Sequence, residues 1–137
     1  MKKIVLSLSF CLAVLALSAQ AGVDQDAVQQ ATSEMVALYQ LDAKQTVKMQ
    51  TIQERRFRNL AEIEFMQDSD PQQYLIKKKN IRKGMEHSIR MMLTNEQMPI
   101  FNQQLVERRK QESEKIKQMK LNGASKEEIQ NALLEID

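Results

Sequence analysis

Two short stretches, Leu41-Asp42-Ala43-Lys44-Gln45 and Leu93-Thr94-Asn95-Glu96-Gln97, decide how this chain folds. Each places an oxygen-bearing side chain three residues before a glutamine. That is the spacing of a capping box: the first side chain accepts from the unpaired N–H groups of a new helix, and the glutamine reaches back to the first residue's own N–H. Two further boxes stand at Asp70-Pro71-Gln72-Gln73 and Ser125-Lys126-Glu127-Glu128. In the former, proline takes the first helical position, where a missing N–H is tolerated. The latter follows Gly123, a residue suited to ending the helix before it. These starts predict helices near 43–67, 71–92, 95–121 and 126–136, preceded by one over 25–40.

The residues between the boxes agree. Gln, Glu, Lys, Met, Leu, Ala and Arg dominate, all good helix formers, and β-branched and aromatic residues are too sparse for a sheet. Apolar residues recur at helical spacing: Val28, Ala31, Met35 and Leu38; Met49, Ile52, Leu60, Ile63 and Met66, interrupted by Arg56; Ile81, Met85, Ile89 and Met92; and Phe101, Leu105, Ile116 and Met119. The last stripe is thin, because Arg108 and Glu112 occupy positions where apolar residues belong. A helix so long and so polar in its middle must project or lie along a second chain. The fold expected is all-α: an elongated, cradle-like assembly of four to five helices, forming a homodimer.

Residues 1–21 read as a secretory signal peptide. Lys2 and Lys3 precede an apolar run from Ile4 to Leu17, and Ala19-Gln20-Ala21 offers small residues for cleavage after Ala21. The run is too short for a permanent span. Phe10 before Cys11 makes that cysteine a poor lipid acceptor. Cleavage removes Cys11, the only cysteine, together with both lysines, so the formal charge of +2 falls to zero. Gly22–Asp137 then forms one helical domain, exported to the periplasm, without disulfide or thiol and with no charge surplus to draw it to nucleic acid. With one histidine, no tryptophan, three glycines and two prolines, it has few parts for phosphate loops, zinc sites or catalytic triads. Ser88 and His87 are helix neighbours that point apart. No enzyme activity and no cofactor is expected.

The stretch at 93–97 is an LTxxQ motif, and that at 41–45 is the same motif with aspartate for threonine. Two such motifs about fifty residues apart in a small exported helical protein resemble the Spy/CpxP family of periplasmic proteins. Phe101-Asn102 through Leu105-Val106-Glu107-Arg108-Arg109, and the run Glu54-Arg55-Arg56, are similar to that family's sequences as well. The likeness covers roughly Leu41 to Gln111. It implies a cradle-shaped protomer paired as an antiparallel dimer, acting as an ATP-independent chaperone or a modulator of envelope-stress signalling. Its partners would be unfolded or misfolded envelope proteins or a sensor protein. The motif residues Leu41, Asp42, Gln45, Leu93, Thr94 and Gln97 would be structural caps. Pro99 departs from the pattern and predicts a kink or a delayed start to the helix after Gln97.

Candidate binding residues lie in basic runs with apolar neighbours: Arg55, Arg56, Phe57 and Arg58; Lys77, Lys78 and Lys79, with Arg82 and Lys83 beyond; and Arg108, Arg109 and Lys110. They are either solvated helix faces or a positive surface that steers acidic clients and then holds them by apolar contact. The methionines serve as core or as adaptable client contacts, and Met91 and Met92 cannot both face inward. His87, with Glu86 or Met85 from two chains, is the one candidate for metal binding. That leaves two alternatives to client binding: a periplasmic metal sensor or buffer, and a purely structural helical oligomer.

Overall fold

The computed structural model describes residues 23–134 and 136, and every regular element among them is a helix. The predicted signal peptide lies outside the described residues. In chain order the helices are α1 (Gln25–Tyr39), α2 (Ala43–Ile63), α3 (Met66–Ser69), α4 (Pro71–Met92), α5 (Met98–Leu121) and α6 (Lys126–Leu134). No described helix is long and apolar enough to cross a membrane.

The caps account for most of these boundaries. At Asp42 the box is complete: Gln45 N–H donates to Asp42 Oδ1 at 2.8 Å, and Asp42 N–H donates to Gln45 Oε1 at 3.1 Å. The box at Ser125 is also complete, with Glu128 N–H donating to Ser125 Oγ and Ser125 N–H to Glu128 Oε2. Hydrogen bonding to its charged form, first from the Ser125 backbone N–H and then from the Ser125 side chain, holds the Glu128 carboxyl below the usual range. Asp70 accepts from Gln73 N–H, with Pro71 following as predicted. Two left-handed residues end helices: Gly123, at φ 78°, after α5, and Gln40, at φ 53°, after α1. At Gln40 the turn closes with Leu41 N–H donating to the Val36 carbonyl.

Two expectations need correction. The predicted helix 43–67 is broken at Glu64–Phe65, where Glu64 N–H bonds three residues back to the Ala61 carbonyl, and the chain resumes as the short α3. There are therefore six described helices rather than five. Phe65, at the break, is 73% exposed. The helix predicted from 95 begins at Met98 instead. Pro99 has no N–H to give the Asn95 carbonyl, so the segment after Thr94 is a turn held by Gln97 N–H to the Thr94 carbonyl. Only half of this capping box forms. Gln97 Oε1 accepts from Thr94 N–H at 3.0 Å, while the Thr94 hydroxyl donates to Glu96 and caps no helix donor.

The two motifs meet in space. Gln45 Nε2 donates to Gln97 Oε1 at 2.7 Å, and Gln97 Nε2 donates to Gln45 Oε1 at 3.0 Å. The second proton of each amide goes to the opposite turn: Gln45 to the Met92 carbonyl at 3.2 Å, Gln97 to the Gln40 carbonyl at 3.3 Å. Each of those carbonyls lies two residues before the capping position of the other motif. The arrangement therefore has local two-fold character. One helical turn further on, Met49 and Phe101 occupy matching places in a core completed by Tyr39, Leu41, Ile52 and Ile89. Met92 and Leu93 pack against that core, whereas Met91 is 74% exposed, which separates the two adjacent methionines as expected.

Below this junction α2 packs closely along both α1 and α4. α5 touches α1 and then diverges from α4. α6 folds back against α4 and α5, where Leu134 is buried and Arg82 Nη1 donates to the Ile136 carbonyl. At 24 residues α5 extends about 36 Å, and its apolar Val106 and Leu121 face solvent.

The unequal caps give a test. Asp42→Ala should destabilise by about 0.5–2 kcal/mol, as the loss of an N-cap does. Thr94→Ala should cost only a few tenths, since its hydroxyl satisfies no helix donor. Denaturant unfolding of the two variants checks the order, and equal costs would contradict it.

Candidate functional site

The divergence of α5 from α4 leaves a cleft of about 310 Å³ between α1, α2, α4 and α5. Its walls are apolar: Met35 from α1, Leu60 from α2, Ile81, Met85 and Ile89 from α4, and Phe101 and Leu105 from α5. These are the stripe residues of four helices. Ile89 and Phe101 reach the core and Met35, Met85 and Leu105 pack against it, but on the cleft side the gap is bridged by long polar side chains rather than closed by packing.

The chief bridge is ionic. Arg108 places both terminal nitrogens on the Glu86 carboxylate, one of them at 3.0 Å, and Arg82 Nε stands 3.7 Å from the same carboxylate. This explains the polar residue at 108 in the stripe of α5. A guanidinium there spans to α4 and keeps its stem against the apolar wall. The Arg82 Nε atom is buried with no hydrogen-bond partner, since 3.7 Å is beyond hydrogen-bond range. Tyr39, 2% exposed, closes the cleft toward the core. Its hydroxyl donates to Gln104 Oε1 at 2.5 Å, and its ring lies 6.5 Å from that of Phe101. Burial first, and the Glu86 charge second, push the Tyr39 phenol above its ordinary range.

The basic candidates divide sharply. Arg56 and Lys78 line the cleft. Arg56 also lies over the Phe57 ring at 5.2 Å, and no carboxylate among the described residues pairs with it. Arg55 is exposed and donates to Ser88 Oγ at 2.7 Å, tying α2 to α4 outside the cleft. Arg58 and Lys77 face solvent, and Lys79 is half-buried away from the cleft. One residue or two from each of the three basic runs thus reach a common place: Arg56, Lys78 with Arg82, and Arg108. Glu86 is the one acid among the described residues that line the cleft. Glu86, Tyr39 and Gln104 were not singled out from the sequence. Glu86 stands four residues after Arg82, a spacing that signals a helix ion pair, and Arg108 in an apolar stripe signals its distant partner.

The donor set suggested around His87 does not converge. Glu86 faces the cleft and is taken by Arg108 and Arg82, whereas His87 is exposed on another side of α4, beside Lys48, Arg55 and Met91. Among the described residues no group of three or more His, Cys, Asp or Glu side chains could hold a metal ion.

No protein-family model, curated protein or solved structure matches the chain.

The raised Tyr39 pKa has a consequence for stability. The folded state favours the neutral phenol, so its contribution is present below the unfolded value near pH 10 and is lost as pH rises above it. Tyr39→Phe should lose about 0.5–1.5 kcal/mol at neutral pH with the hydrogen bond to Gln104. The variant should also show a shallower fall of melting temperature above about pH 10 than wild type. Parallel alkaline limbs would contradict this assignment.

Proposed function

We propose that the protein is an exported, ATP-independent binder of unfolded or partner proteins, a chaperone or envelope-stress modulator of the Spy/CpxP kind. The observation that carries this reading is the meeting of all three basic runs at one apolar cleft. Arg56, with no carboxylate partner among the described residues, and the pair Arg82 and Arg108, which share the one carboxylate of Glu86, give the site a positive field. That field steers acidic segments toward it over distances set by the ionic strength. The aliphatic and thioether walls then hold apolar side chains without demanding one shape, because methionine repacks easily. Nothing in such a cycle needs a nucleotide or a cofactor. The protein pairs as an antiparallel homodimer, and the exposed apolar residues of α5, Val106 and Leu121, lie on the helix whose polar middle calls for a second chain. The motif residues act as scaffold and touch no client.

The test is suppression of aggregation of a denatured model protein by purified Gly22–Asp137 without ATP. Arg56→Gln combined with Lys78→Gln should slow client capture several-fold near 0.01 M ionic strength, where the Debye length is about 30 Å. The difference should fade near 1 M, where it is about 3 Å. A wild-type chain that suppresses no aggregation, or a variant deficit independent of salt, would overturn the reading.

A further inference from the structure

The cleft shows more selectivity than loose client holding requires. Its volume of about 310 Å³ stands at the lower end of the range of small-molecule sites, which is roughly 300–1,000 Å³. That is room for one slender apolar chain, and too little for a two-chain lipid. The apolar lining is continuous across four helices, from Met35 past Leu60, Met85 and Ile89 to Leu105. Against this lining stand two guanidinium groups, of Arg82 and Arg56, with donors unmet among the described residues. Arg82 Nε is buried without an acceptor among the described residues, which costs free energy. Arg56 has only the face of the Phe57 ring. Glu86 already serves Arg108 through both carboxylate oxygens and Arg82 at 3.7 Å, so it leaves Arg56 without a carboxylate among the described residues.

We propose that this cleft binds a single-chain amphiphile with a carboxylate head, a medium-chain fatty acid. The acyl chain lies along the apolar wall, and the carboxylate is received by Arg56 and the underused Arg82, which a guanidinium can do through paired hydrogen bonds. A neutral head would leave the cationic rim uncompensated, and a cationic head would be repelled by it. The inference uses the same cleft as the proposed function but does not depend on client binding. Where both hold, the fatty acid competes with clients.

The experiment is titration of purified Gly22–Asp137 with dodecanoate below its micelle concentration, followed by calorimetry and by melting temperature. Dodecanol and dodecyltrimethylammonium serve as comparison probes. Dodecanoate should bind one molecule per chain and raise the melting temperature with concentration, as a ligand of the folded state does. The neutral and cationic amphiphiles should bind at least about tenfold more weakly, a difference of about 1.4 kcal/mol. Arg56→Gln should weaken dodecanoate by a similar factor. Lys78→Gln should do so as well, and guards against a folding defect in the first variant. Arg90→Gln, on an exposed part of α4 outside the cleft, should leave binding unchanged. Equal binding of the three amphiphiles, no saturable binding at all, or unaltered binding by Arg56→Gln and Lys78→Gln would overturn the proposal. So would occupation of the cleft by an acidic apolar peptide that dodecanoate fails to displace. Aggregation suppression without dodecanoate binding leaves the proposed function standing and removes this inference, and dodecanoate binding without suppression does the reverse.

Discussion

The reciprocal amide pair of Gln45 and Gln97 is the constraint on which the rest of the architecture depends. A glutamine amide offers two donor protons and an oxygen with two lone pairs, and here both side chains use all of them. Each oxygen takes the N–H of its own capping residue and one proton of the opposite amide, and each nitrogen also serves a carbonyl of the opposite turn. The pair therefore joins the α1–α2 turn to the α4–α5 turn at a fixed register. Deleting one member leaves several polar groups partly buried and unpaired, which costs more than a single hydrogen bond contributes. The left-handed conformation of Gln40, unusual for a residue with a side chain, belongs to the turn whose carbonyl receives Gln97.

From that junction the other features follow in order. Register at the turns brings Met49 and Phe101 into one core with Tyr39 and Ile89. Further along, α5 leaves α4, and packing gives way to side chains long enough to cross the gap. Arg108 reaches Glu86, and the apolar residues between them stay only half-buried. A partly desolvated ion pair contributes modestly to net stability, so its main effect is geometric: it props the cleft at a set width. The same divergence that weakens the core there opens the candidate binding site.

Much of this was legible in the sequence, and the reasons are local ones. Helical identity and four of the six described helix starts follow from short-range chemistry, the oxygen of a capping side chain and the spacing of apolar residues, which needs no knowledge of distant contacts. The break at Glu64–Phe65 carries no glycine or proline to announce it, and no local feature accounts for an exposed phenylalanine there. Pro99 gave warning of the late start of α5, but not that Thr94 would turn its hydroxyl to Glu96. The cleft was visible only in part. Arg56 and Lys78 stood out as basic residues beside apolar ones, yet Arg55, Arg58, Lys77 and Lys79 stood out equally, and only their placement on the helices separates them. Glu86 and Tyr39 acquire their roles from residues more than twenty positions away, and such pairings are not written in any local pattern. The meeting of Gln45 with Gln97 is of the same kind: each was legible as half of a cap, and their mutual bond was not.

The most direct measurement is a double-mutant cycle on these two glutamines, with Gln45→Ala, Gln97→Ala and the double variant unfolded in denaturant beside wild type. Reciprocal pairing predicts that each single change costs nearly as much as both together, with a coupling energy of about 1–3 kcal/mol. Costs that simply add, within the roughly 0.3–0.5 kcal/mol expected of independent sites, would show that the two turns are held separately and would contradict the central claim.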